Sequence, residues 1–221
     1  MTVAADHDLS TRKDVQDELE WSADVDAARI GVAVEDGTVT LSGEVASYAE
    51  LVAAKRAALR VRGVRAVVDD LTVHAASAWP VTETDVAQQV ERLFDWSSAI
   101  PTTVKAEISN HTVTLVGQVD WDYQRRAAQH AVEKLRGVNT VKNLITLSVR
   151  PSAPDTEARI RKALTRNAQL DADSVHVQVD GTVVTLTGRV HSWPEKEQAT
   201  QAAWASPHVT AVDNRIVVRS I

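Results

Sequence analysis

Apolar and polar residues alternate with a period of two in three separate stretches of the chain. This pattern predicts a pair of β-strands in each stretch, with one apolar and one polar face. We expect a tight turn between the two strands of each pair, because the residues there tolerate the positive φ angles that such a turn requires. The three turns are Asp36-Gly37, Asn110-His111 and Asp180-Gly181. A glycine closes each second strand, at positions 43, 117 and 188, and we expect a bulge or a close approach of two backbone segments there.

Helical periodicity surrounds each strand pair. A short amphipathic helix is predicted before each strand pair; in the first repeat, Val15 and Leu19 lie one helical turn apart on its apolar face. We expect Thr84 and Thr156 to cap the N-termini of the second and third of these helices. A longer, alanine-rich helix follows the pair, and Gly63 and Gly137 are expected to cap its C-terminal end in the first two repeats. A third strand comes next. Its inward residues are predicted to be Val67, Leu71 and Val73 in the first repeat, and Val141, Ile145 and Leu147 in the second.

The order helix, strand, strand, helix, strand recurs with offsets of 74 and then 71 positions between the closing glycines. We therefore predict an α+β protein of three tandem small αββαβ modules, each a three-stranded sheet packed by two helices. The predicted modules span residues 9–76, 81–150 and 153–221. Pro80 and Pro154 mark the linkers between them, and Trp79 lies in the first linker.

Charge and composition narrow the possible partners. The formal net charge of -6 argues against nucleic-acid binding, which needs clustered lysine and arginine. The excess acidity lies in the N-terminal third, so the second and third repeats are better suited to an anionic surface. No segment is long and apolar enough for a transmembrane helix, and the first residues do not form a signal peptide. We therefore expect a cytoplasmic protein, with peripheral membrane association as an option.

Catalytic and metal-binding patterns are missing from the sequence. There are no cysteines, and the seven histidines form no His-Glu-x-x-His or His-x-x-x-His pair. The eight glycines are dispersed, without a phosphate-binding loop or a Gly-x-Ser-x-Gly elbow. We therefore predict a protein that is not an enzyme, with no catalytic residue, no metal site and no cofactor.

The repeated motif resembles the BON domain, a bacterial module of osmotically induced and nodulation proteins. The resemblance rests on the Asp-Gly or Asn-containing turn, the segment Thr-Val-Thr-Leu-x-Gly-x-Val, the alanine-rich helix and Gly-Val-x-x-Val-x-Asn/Asp, in three tandem copies covering nearly the whole chain. It implies a non-enzymatic protein of the osmotic or envelope stress response that associates with phospholipid. Some members bind potassium.

Aromatic and basic residues between the second strand and the long helix are the candidate binding residues. They are Tyr48, Trp121, Tyr123 and Trp193, together with Arg125 and Arg126. Such rings suit a bilayer interface, and the arginines suit an anionic surface. The alternative is that the rings cover the end of each core and that the arginines belong to a solvated helix face. For Trp21 and Trp96, at the end of the first helix, we expect packing.

Three functions follow from these features. The first is a stress-associated binding protein whose modules contact an anionic phospholipid surface or a protein partner. The second is a soluble small-ligand or potassium-type cation sensor, and the third is a structural interaction scaffold.

Overall fold

The computed structural model describes residues 2–74, 81–150, 155–166 and 174–219, with side chains from residue 6 onward. The predicted linker residues Trp79, Pro80 and Pro154 lie outside these ranges. Within them the chain forms three modules, which we number in chain order.

Module 1 begins with helix α1 (Thr2–Trp21), which is much longer than the predicted short helix. After a 3-10 turn, strands β1 (Ile30–Glu35) and β2 (Thr38–Val45) form an antiparallel pair with Val34 opposite Val39. Helix α2 (Tyr48–Arg60) then carries the chain to β3 (Ala66–Val73). Strand β3 pairs with β2 in parallel, so β2 is the central strand of the sheet.

Modules 2 and 3 repeat this order. Module 2 consists of α3 (Glu83–Trp96), β4 (Lys105–Ser109), β5 (Thr112–Val116), β6 (Gln118–Val119), α4 (Asp122–Glu133), β7 (Thr140–Asn143) and β8 (Thr146–Leu147). Module 3 consists of α5 (Thr156–Thr165), β9 (Val175–Asp180), β10 (Val183–Val190), α6 (Trp193–Trp204), β11 (Ala211–Asn214) and β12 (Val217–Val218). The predicted α+β class with three αββαβ modules is confirmed.

The third strand is interrupted in modules 2 and 3 by an asparagine that ties it to the long helix. Asn143 Nδ2 donates to the backbone oxygen of Arg125 at 3.1 Å, and Asn143 Oδ1 accepts from the Ile145 amide at 3.2 Å. Asn214 makes the same two kinds of bond with Lys196 and Ile216. The local turn satisfies buried polar groups that the sheet leaves unpaired.

Each module has its own apolar core between its sheet and its two helices. Alternate residues of the central strand are fully buried, such as Val39 and Leu41 in β2. The predicted inward residues of the third strands all belong to these cores, as do the alanines of the long helices, of which Ala54 and Ala128 are fully buried. The small alanine side chains let each long helix lie close to its sheet.

The glycines predicted to close the second strands make the predicted close backbone approach, but only Gly117 lies at a strand end, because β2 and β10 continue to Val45 and Val190. Their φ angles are +119° at Gly43, +125° at Gly117 and +126° at Gly188. A Cβ atom at Gly117 would lie 2.2 Å from the carbonyl oxygen of Thr103, and the other two sites are equally tight. The turn prediction holds in two modules. In module 3 only Gly181, and not Asp180, has a positive φ.

Several predicted helix ends were wrong. The N-cap of α3 is Thr82 and not Thr84, because the Thr82 hydroxyl accepts a hydrogen bond from the Asp85 amide. Thr156 is the first residue of α5, which follows Asp155. Helices α2 and α4 end three or four residues before Gly63 and Gly137, and those glycines lie instead in the turn that leads to the third strand.

The three modules form a closed ring, since each contacts both of the others. Tyr48, the first residue of α2, packs against the cores of modules 1 and 2. The guanidinium of Arg125, in the first turn of α4, lies 4.5 Å from the ring centroid of Trp204 at the end of α6. Helix α6 in turn contacts α2. The contacts run from module 1 to 2, from 2 to 3 and from 3 to 1, which indicates a cyclic arrangement of similar units.

Candidate functional site

The candidate binding residues of module 2 surround the first turn of α4. Gln124 fixes this turn, because its Oε1 accepts the amide hydrogens of Asp120 and Trp121 at 3.1 and 3.0 Å. In a similar way, Glu50 accepts the amide hydrogen of Ala46 just before α2, and Glu195 accepts that of His191 just before α6. This repeated helix start gives a fixed position to the side chains that the turn carries.

A buried carboxylate holds the two candidate arginines. The side chain of Asp122 is only 3% exposed, although it lies at the start of a helix. It forms ion pairs with Arg125 Nη2 and with Arg126 Nε, the latter at 2.9 Å. The positive end of the helix dipole adds to the stabilisation of this carboxylate. Sequence reasoning did not single out Asp122 and missed this pairing.

Three of the predicted site residues lie in contacts within or between modules. Tyr48 is half-buried between two cores, and Arg125 stacks on Trp204. Trp193 is also half-buried, with Lys196 Nζ 5.1 Å from its ring centroid. Its buried Nε1 has no hydrogen-bond partner among the described residues.

The remaining predicted residues form an exposed surface with two residues that the sequence did not single out. We call this set, Trp121, Tyr123, Arg126, Val149 and Arg150, the module 2 rim. Trp121 is 37% exposed, Tyr123 56% and Val149 78%. The guanidinium of Arg150 lies 4.0 Å from the ring centroid of Trp121 and 3.5 Å from Asp120 Oδ1.

Val149 and Arg150 reach this surface through pairing of distant segments. The amide of Ser148 donates to the carbonyl oxygen of Val119 at 2.8 Å, which places the end of the third strand beside the start of α4. No local motif in the sequence signals this neighbourhood. The alternation around Leu147 was the nearest signal, since it predicted the strand that leads there.

Trp21 and Trp96 are not packed, so that expectation was wrong. Trp21 is 86% exposed and Trp96 is 90% exposed. Both helices continue beyond their last fully buried residue on the core side, which is Leu19 in α1 and Val90 in α3. At 100° per residue, positions two and six residues further on point away from the core. Glu20 and Asp95 directly precede these rings in the sequence.

Two cavities lie where modules meet. One of about 490 Å³ is lined by residues of modules 1 and 2, including Tyr48 and Lys55. Another of about 420 Å³ is lined by residues of module 1 and by Arg219 of module 3. Within residues 2–74, 81–150, 155–166 and 174–219, no three histidine, aspartate or glutamate side chains come together as a metal ion would require. None of the helices in those ranges is both long and apolar enough to cross a bilayer.

The sequence profile of the BON domain matches residues 7–75, 82–148 and 152–220. The chain belongs to the BON domain family. Its three matches agree with the three modules of the fold, so the tandem arrangement predicted from the repeats is confirmed. No curated protein sequence matches this BON protein significantly.

Two solved structures are similar to the chain at low identity. One is CdsD, a structural protein of the type III secretion system of Chlamydia trachomatis, at 12% identity and a TM-score of 0.28, covering 95% of this chain and 92% of that one. The other is the C-terminal domain of CdsD, at 13% identity and a TM-score of 0.27, covering 94% and 96%. TM-scores this low carry no argument about architecture or function.

Proposed function

We propose that this BON protein is a non-enzymatic binding protein whose module 2 rim attaches it to an anionic phospholipid surface. The supporting observation is that the exposed ring of Trp121 stacks with Arg150, and that exposed Tyr123 and Val149 adjoin Asp122-bound Arg126 and Arg150 along the same two chain segments. Tryptophan and tyrosine suit the interface because each has an apolar body and a polar edge. The arginines supply attraction to lipid phosphates, on the order of 1 kcal/mol each near an anionic surface.

The charges around the rim favour one orientation of the molecule. If Arg125, which stacks on Trp204 next to the rim, is included, this edge has three arginines and two aspartates (Asp120 and Asp122), whereas the whole chain carries a net charge of -6. An anionic surface therefore attracts the rim and repels the acidic remainder. Screening by salt weakens both effects, since the Debye length is about 8 Å at physiological ionic strength.

The rim is a single attachment site in a three-module ring. Modules 1 and 3 place serine where module 2 has Trp121, and their neighbouring rings, Tyr48 and Trp193, are half-buried. The proposal therefore assigns surface binding to module 2 and support of the ring to the other two modules. No observation among the described residues supports the potassium-type sensor in a comparable way.

Vesicle flotation tests this function. The full chain is mixed at low salt with vesicles of phosphatidylcholine alone or of phosphatidylcholine and phosphatidylglycerol in equal parts. We expect binding to the mixed vesicles only, and its loss in the double variant Trp121→Ala, Tyr123→Ala. Trp96→Ala is the matched control, because it removes a more exposed ring that lies outside the rim. Circular dichroism verifies that each variant is folded.

Two outcomes contradict the proposal. The first is wild-type protein that floats with neither vesicle at low salt, which leaves a protein partner as the better candidate. The second is an equal loss of binding in the double variant and in Trp96→Ala, since binding would then depend on exposed aromatic area anywhere on the molecule.

A further inference from the structure

The cavity at the junction of modules 3 and 1 is lined by charged side chains from two modules and by two glycines. Its lining includes His7, Asp8, Gly37, Gly63, Arg65 and Arg219. The volume of about 420 Å³ falls in the range of small-molecule sites. Arg219 comes from module 3 and the rest of the lining from module 1, so contact between these modules completes the cavity.

The glycines leave room that a side chain would fill. A Cβ atom at Gly37 would lie 2.8 Å from Arg65 Cδ, and one at Gly63 would lie 3.2 Å from His7 Nε2. The stem of Arg65 therefore crosses Gly37, and the imidazole of His7 rests on Gly63. The amide of Arg65 donates to the carbonyl oxygen of Gly37 at 2.8 Å, which fixes the base of the side chain.

The positive charges of this cavity are not neutralised by ion pairs. Arg65 and Arg219 have no salt-bridge partner among the described residues. The carboxylate of Asp8 faces the cavity but accepts the amide hydrogens of Asp36 and Gly37 at 3.0 and 3.1 Å. The exposed carboxylate of Asp36 is the second acidic group of the lining. The two guanidinium groups are thus available to a ligand.

Module 2 lacks the corresponding site because its equivalent residues fill the space. His111 stands where module 1 has Gly37, and its Nδ1 lies 2.7 Å from the carbonyl oxygen of Gly137. Val81 packs against Gly137, so that a Cβ atom there would lie 2.6 Å from it. Asn139 replaces Arg65. Module 2 therefore does not reproduce this cavity.

We propose that this cavity binds a small phosphate-bearing anion, with Arg65 of module 1 and Arg219 of module 3 holding its phosphoryl oxygens. Planar guanidinium groups match the geometry of phosphate and form charge-assisted hydrogen bonds with it. The imidazole of His7 also lines the cavity. Since the ligand bridges the first and last modules, its binding also stabilises the closed ring.

Calorimetry and thermal unfolding test this site. The full chain is titrated with inorganic phosphate and with glycerol 3-phosphate, against sodium chloride at matched ionic strength. We expect phosphate to raise the Tm beyond the chloride control. Arg65→Gln and Arg219→Gln should each weaken binding at least about tenfold, because each removes a charge-assisted contact. Arg62→Gln, which changes an exposed arginine outside the cavity on the same turn, should stay within about twofold.

A further binding experiment with phosphatidic acid vesicles identifies the source of the phosphate group. Binding of both soluble anions supports a free ligand, whereas Arg65-dependent binding of phosphatidic acid vesicles alone supports a lipid headgroup. The double variant Trp121→Ala, Tyr123→Ala should bind soluble phosphate normally. The phosphate site can therefore be tested even if the module 2 rim does not bind vesicles. The proposal is overturned if no phosphate compound binds beyond the chloride control, or if Arg62→Gln weakens binding as much as Arg65→Gln.

Discussion

Replacing Gly117 by alanine should destabilise module 2 severely. Gly117 has a φ of +125°, a region that residues with a side chain rarely adopt, and its Cα lies against the start of β4. A Cβ atom would be 2.2 Å from the Thr103 oxygen and 3.1 Å from the Thr103 carbonyl carbon. Both partners are backbone atoms, so no side-chain rotation relieves the contact.

The expected loss follows from two contributions. The strained φ costs about 1–3 kcal/mol. The backbone must also shift by roughly 1 Å to reach ordinary contact, which disturbs the pairing of β4 with β5 and places the total at about 3–5 kcal/mol. A domain of this size has a stability of only about 4–10 kcal/mol, so the substitution removes a large part of it.

Gly181→Ala is the matched control for this substitution. Gly181 also has a positive φ, of +58°, but no atom lies within 4 Å of the position a Cβ would take. Its replacement should cost only about 1–2 kcal/mol, the strain of the left-handed region. Urea unfolding followed by circular dichroism measures both. The reasoning fails if Gly117→Ala is no more destabilising than Gly181→Ala.

Three further predictions address the ring and the helix starts. A double-mutant cycle on Arg125→Ala and Trp204→Ala, measured by urea unfolding, should give a coupling free energy of about 0.5–2 kcal/mol between the two side chains. If the losses of unfolding free energy in the two single variants simply add up in the double variant, the contact between modules 2 and 3 is excluded. Ser47→Ala should lower the free energy of unfolding by about 1 kcal/mol, because the Ser47 hydroxyl caps α2, and an unchanged denaturation midpoint would contradict this. The backbone and hydroxyl of Thr82 donate to Asp85 and lower the pKa of that carboxyl, so its stabilising effect is present at neutral pH and is lost as the pH falls through the lowered pKa. An NMR titration of Asp85 with a midpoint at or above the ordinary aspartate value would contradict it.

Local rules explain which parts of the fold the sequence could predict. The period-two alternation around Val39 and Leu41 and the tight turn at Asp36-Gly37 depend on neighbouring residues only. The closing glycines were informative because a φ near +120° is almost restricted to glycine. Helix ends were less predictable. Thr82 and Thr84 both precede the amphipathic stretch, and only the geometry of the first turn decides which hydroxyl reaches the Asp85 amide.

The candidate site was predictable only where its residues are consecutive. The segment from Trp121 to Arg126 was selected from its composition, but the partners that decide its properties come from elsewhere in the chain. Arg150 stacks on Trp121 because the end of the third strand pairs beside it, and Trp204 stacks on Arg125 because module 3 follows module 2 in the ring. Neither contact leaves a periodic signal in the sequence.

Equivalent positions have different roles at the junctions of the ring. The first residue of the long helix is aromatic in modules 1 and 3, as Tyr48 and Trp193, but is the buried Asp122 in module 2. The aromatic ring at the junction of modules 2 and 3 comes instead from Trp204, at the far end of α6, and stacks on an arginine that Asp122 holds. Repetition therefore predicts the interior of each module, where equivalent residues meet equivalent neighbours. It does not predict the junctions, because each depends on a pair of residues from two different copies.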